Sequence, residues 1–187
     1  MRASVTLLQY DHGVIRQMTD VLGDMSKHDT MAKHQKQVRR IADFLDQYVQ
    51  KHHHAKEERC LFPVAEKLSS ELAEMANGLK QDHRRFGSQI KRFKELAKRR
   101  EAYTDGTLAH VSKGLVEQMS KHIRFEEDQF FPKIEDGMSV EMDADVVAAY
   151  EEFLKTRFDP DFFRINEDLA TKMQDEVLGP GYYLGIH

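Results

Sequence analysis

A chain of 187 residues with a net charge of −4 is long enough for one domain with its own core, and its charge gives no electrostatic case for nucleic acid or an anionic membrane. Its single cysteine, Cys60, excludes an internal disulfide and a cysteine-based metal cluster. No apolar run follows a basic start or approaches the roughly 18 residues of a spanning helix, so neither signal peptide nor membrane segment is expected, and the default location is a reducing cytoplasm.

Leu, Lys, Glu, Met and Ala are abundant and no segment alternates with period two, which predicts an all-α chain. The first helix is expected over 4–27, with Ser4 as its N-cap. A second spans 31–61 after Thr30, and a third 69–99 after Ser69. A fourth spans 105–131. Pro63 and Pro132 are expected to stop or kink the second and fourth helices. Connections this short make neighbouring helices antiparallel, giving an up-down-up-down four-helix bundle over 1–137. Two further helices, over 139–157 and 160–177, form a C-terminal helical extension (138–187) expected to pack on the bundle. The basic run Lys91 to Arg100 keeps Phe93, Leu96 and Ala97 at helical spacing and reads as the wet side of the third helix. The aromatic tail Tyr182-Tyr183 is expected against the bundle or a partner.

Each bundle helix carries an apolar stripe interrupted by chemistry. Val5, Leu8, His12, Ile15, Thr19 and Leu22 keep steps of three and four in the first. Val38, Ile41, Leu45, Val49, His53 and Glu57 do so in the second. The third offers Leu79, His83, Phe86 and Ile90, and the fourth Leu115, Met119, His122, Glu126 and Phe130. The chain also repeats itself. Leu8-Gln9-Tyr10-Asp11-His12 resembles Leu79-Lys80-Gln81-Asp82-His83, and the segment from His53 to Pro63 resembles that from His122 to Pro132. Two hairpins of one design should therefore build an axial site from matching residues.

Four buried imidazoles and two buried carboxylates would be very costly without a compensating charge. A pair of cations supplies it. His and Glu at i and i+4 share a helix face, so one helix can serve one ion with its imidazole and bridge to a second with its carboxylate. Among the consecutive His52, His53 and His54, only His53 continues the stripe; His52 and His54 are expected exposed or flanking.

The pattern His12, His53-x-x-x-Glu57, His83, His122-x-x-x-Glu126, with its twin Phe-Pro endings, resembles the hemerythrin-like, or HHE cation-binding, family over roughly residues 5 to 135. The resemblance implies two non-haem iron ions, oxo- or hydroxo-bridged. Glu57 and Glu126 would bridge them, with His12 and His53 on one ion and His83 and His122 on the other. It also implies a small diatomic ligand (O2 or NO) or peroxide. The roles implied are binding or sensing that ligand, reducing peroxide or NO, or donating iron for repair of damaged iron centres. A protein partner or self-association through the C-terminal extension is a third use.

The oxygen carriers of that family have a fifth histidine one turn after the third-helix histidine. That position is Gly87, which leaves either a pocket beside the metal or simply close helix packing. Glu58 and Glu127 are read as solvated or as supporting the ligands, with replacement of the missing histidine as the alternative. Asp11 and Asp82 either hydrogen-bond near the ligands or lie on the surface. Tyr10 is expected in packing and Cys60 as a buried, inert thiol. His28, His34, His110 and His187 need no special role.

Overall fold

The computed structural model describes residues 2–180 and 182, and among these it contains helices and no strand. Helix α1 is Ala3–Lys27. Helix α2 is composite over 35–68: α-helical at Gln35–Phe44, π-helical at Leu45–His54 and Glu57–Leu61, and α-helical again at Phe62–Leu68. Helix α3 is Ser70–Leu96. Helix α4 joins Thr107–Phe125, a π-helical turn Glu126–Phe130 and Phe131–Gly137. Helices α5 (Val140–Arg157) and α6 (Phe162–Val177) follow. The first four form the up-down-up-down bundle; α6 lies along α1, and α5 packs on α1 and on the second π turn of α2.

Local chemistry sets several boundaries. Ser69 caps α3 by accepting from the Leu72 N–H at 3.1 Å, and Ser139 caps α5 by accepting from Met142 at 3.2 Å. Gly106 enters α4 at φ 77°, a left-handed conformation that costs glycine little. The expected cap at Ser4 is not found. Ser4 lies inside α1, and Asp143 of α5 caps this helix from outside. Its carboxylate accepts from the Ala3 N–H at 2.9 Å, from the Ser4 N–H at 3.0 Å and from the Ser4 hydroxyl. Asp143→Ala should therefore cost about 1–2 kcal/mol, as for other lost caps. A thermal melt unchanged from the parent protein would refute the assignment.

The prolines do not end their helices. Pro63 and Pro132 each follow a π turn, at positions matched by the sequence repeat, and the chain stays helical to Leu68 and Gly137. A proline lacks the N–H of the i→i−4 bond and its ring strikes the i−4 carbonyl of a regular helix. A wider turn just upstream, bonded i→i+5, moves that carbonyl away.

The apolar core falls into two clusters. One holds Val5, Leu8, Phe62, Leu72, Leu79 and Phe130; the other holds Ile15, Leu22, Val38, Phe86, Ile90 and Met119. Along α1 and α3 the switch from one cluster to the other comes at His12 and His83. A polar layer thus crosses the middle of the bundle.

A candidate metal centre between the helices

His12, His53, Glu57, His83, His122 and Glu126 are all buried, and their side chains meet in that layer. Two sets of four donors each lie within 4.8 Å of one another: His12, His53, Glu57 and Glu126, and Glu57, His83, His122 and Glu126. The two glutamates belong to both. His12 Nε2 is 3.1 Å from His53 Nε2, and His83 Nε2 is 3.3 Å from His122 Nε2. Glu126 reaches His12 Nε2 at 3.2 Å with one oxygen and His122 Nε2 at 3.4 Å with the other. A single oxygen of Glu57 is 3.6 Å from His53 Nε2 and 3.5 Å from His83 Nε2.

The outer nitrogens explain which way these rings face. His12 Nδ1 donates to Glu127 at 2.9 Å, His53 Nδ1 to Asp11 at 3.2 Å and His83 Nδ1 to Glu58 at 2.8 Å. Asp82 stands 3.9 Å from His122 Nδ1, within ion-pair reach but beyond a hydrogen bond. The placement follows the sequence repeat: Asp11 and Asp82 each face the histidine of the following helix, though only Asp11 is within hydrogen-bond distance, while Glu58 and Glu127 bond across the hairpins. With protons held at Nδ1 of His12, His53 and His83, their Nε2 lone pairs face inward. Such outer carboxylates fix the tautomer and raise ligand basicity.

Those lone pairs cannot bond to each other, and all four carboxylate oxygens of Glu57 and Glu126 lack a hydrogen-bond partner. Burial raises both carboxyl groups well above the ordinary range, and the neighbouring Glu57 raises Glu126 further. Burial also lowers His12, His53 and His122, and brings His83 down to about 4, so the imidazoles are neutral at neutral pH. Neutral imidazoles and carboxyl groups without hydrogen-bond partners form a donor set that cations would satisfy. Spacings of 3.1–3.6 Å suit donors around a first-row cation with bonds of about 2.1 Å. The residues fit a cation on each side of the shared glutamates.

Asp11 is buried rather than on the surface. Burial alone would raise its carboxyl, but the Lys56 ammonium and His53 outweigh it and hold the group below the usual carboxylate range. Its oxygens accept from Lys56 Nζ and from the Tyr48 hydroxyl at 3.1 Å. Glu127 is held down to about 2: its burial acts upward, and His12 and Arg16 outweigh that. Glu58 is lowered chiefly by its hydrogen bond from His83. Both glutamates bond the outer Nδ1 of a candidate ligand histidine. Cys60 is buried, which pushes its thiol pKa up, as expected of an inert group. Tyr10 is exposed, packs on Phe163 at 5.5 Å and donates to Glu167, tying α1 to α6.

The expectation for His52 and His54 is overturned, because both are fully buried. Their side chains do diverge around α2, but every side of this helix is covered here. His52 meets Phe158 and Phe162, each at 5.5 Å, where the C-terminal helices close over the bundle. His54 stacks on His83 at 3.9 Å toward α3. Gly87 opens no pocket of its own, since Gln50 of α2 lies 3.5 Å from where its Cβ would stand. Three histidines in an otherwise charged run were the available sign that this segment is inside. Nothing in the sequence marks the π turns that present them. Gly181, Tyr183 and His187 lie outside the described residues.

A four-helix bundle with an axial layer of shared carboxylates and inward imidazoles defines a cation-binding bundle protein. The model of the Hemerythrin HHE cation binding domain family matches residues 3–152, and the chain belongs to that family. No curated protein and no solved structure matches it.

Proposed function

We propose that this is a non-haem di-iron protein that binds or senses a small ligand, O2 or NO, at a carboxylate-bridged centre. His12 and His53 hold one ion, His83 and His122 the other, and Glu57 and Glu126 face both. The observation that carries the reading is the pairing of inward Nε2 lone pairs around four partnerless carboxylate oxygens. Iron so held supplies one-electron chemistry and coordination of a diatomic.

The protein's own part is positional. Asp11, Glu58 and Glu127 keep the Nδ1 protons in place and so keep Nε2 free. Phe62, Phe131 and Phe86 line the imidazoles, with rings 5.6 Å from His83, 5.6 Å from His12 and 5.2 Å from His122, and keep bulk water out. A cavity of about 770 Å³ lies between α3 and α4, lined by Phe86, Phe125, Gln89 and His122, and offers a small molecule an approach to the His122 side. Helices α5 and α6, of the C-terminal extension, are read as sealing the α1–α2 face. No helix among the described residues is long and apolar enough to cross a membrane.

Two measurements on the purified protein test this. Elemental analysis after iron-replete growth is expected to give two irons per chain; zinc or manganese alone would overturn the iron assignment. Stopped-flow mixing of the reduced protein with O2 or NO is expected to give an absorption change that reverses on degassing. Rapid irreversible oxidation would instead favour a redox protein that reduces peroxide or NO, or one that donates iron for repair of damaged centres.

A further inference from the structure

His54 is left over from the centre as described, yet it lies against it. It is fully buried at the end of the first π segment of α2, where the widened turn carries both His53 and His54 inward. Its ring stacks on His83 at 3.9 Å and 8°, and meets His122 edge-on at 5.4 Å. Its Nδ1 donates to Gln50 Oε1 at 3.3 Å, which leaves the lone pair on Nε2. That Nε2 is buried and has no partner. His54, His83 and His122 each offer one nitrogen within 4.8 Å of the others. A leucine or phenylalanine would fill the same space without burying a bare nitrogen, so packing alone does not account for an imidazole here.

We propose that His54 Nε2 is a third imidazole ligand to the ion held by His83 and His122. The inference rests on the di-metal reading of the centre and completes it on the side where Gly87 provides no ligand. Gln50, which accepts from His54 Nδ1, also lies beside Gly87, 3.5 Å from where its Cβ would stand. Nε2 makes no bond that would oppose turning the His54 ring from its stack on His83 toward that ion. The two ions are then inequivalent, with three imidazoles on one and two on the other.

Paramagnetic proton NMR of the Co(II)-loaded, ¹⁵N-histidine-labelled protein counts bound imidazoles, because each one carries a strongly shifted Nδ1–H. Five such signals are expected in the native protein and four in His54→Gln. The variant should also yield one of its two Co(II) ions to a chelator at least tenfold more readily, with the other unchanged. Four signals in a native protein that holds two ions would overturn the proposal and leave the centre intact. A native protein that binds no Co(II) would overturn the centre itself. The native count decides even if the variant does not fold.

Discussion

Glu126→Gln is expected to abolish binding of both ions and, in the same molecule, to stabilise the metal-free chain. Glu126 faces His12 with one oxygen and His122 with the other, so it is needed on both sides of the centre. Glutamine keeps the shape but removes the charge that the cations require. Without metal, the native carboxyl is buried beside Glu57 with no hydrogen-bond partner, and both burial and that neighbour oppose its ionisation. Relieving this should raise apo stability by about 1–3 kcal/mol. The two effects have opposite signs, which separates loss of a ligand from general damage to the fold. Metal content per chain and urea unfolding of the apo proteins measure them, with an unchanged denaturant slope showing that the unfolded reference is the same. Retention of both ions would contradict the bridging role. Apo destabilisation would mean that the carboxyl has partners the structure does not contain.

Asp11→Ala should destabilise the protein by about 3–5 kcal/mol, because it strands the buried Lys56 ammonium. Lys56 is as buried as the core around it; its Nζ bonds Asp11 and lies 5.2 Å from the centre of the Tyr150 ring. The double variant Asp11→Leu with Lys56→Met removes both charges and should recover more than half of that loss. The coupling read from the double-mutant cycle should then far exceed the ~1 kcal/mol ceiling of exposed pairs. Asp11 also holds His53 Nδ1 at 3.2 Å, so both variants should bind metal about 10–100-fold more weakly. If each single variant cost under about 1 kcal/mol, the pair would be behaving as a solvated one, and the sealed environment argued for it would be wrong.

The six ligand candidates were legible because each sits at a period-3.6 position where an apolar residue is due, and because the repeat shows the interruption twice. The start of the second helix was less legible: the sequence suggests 31, whereas the structure starts α2 at Gln35, after a turn through Met31 and His34. Asp11 and Asp82 illustrate the limit. They occupy the same place in the repeat, yet one is buried against Lys56 and the other is partly exposed 3.9 Å from its histidine. No local pattern distinguishes them, because the difference lies in α5 and α6, which cover only the α1–α2 face.

By itself the sequence determined the helical class, the antiparallel bundle and the inward face bearing His12, His53, Glu57, His83, His122 and Glu126, since a single helix's periodicity decides which residues share a side. Only the tertiary structure decided which off-stripe residues are buried as well. Asp143 reaches across to cap α1, the C-terminal aromatics enclose His52, and a π turn directs His54 onto His83. These depend on what lies opposite each helix and on how its turn is wound, and hydrophobic spacing along one helix carries neither.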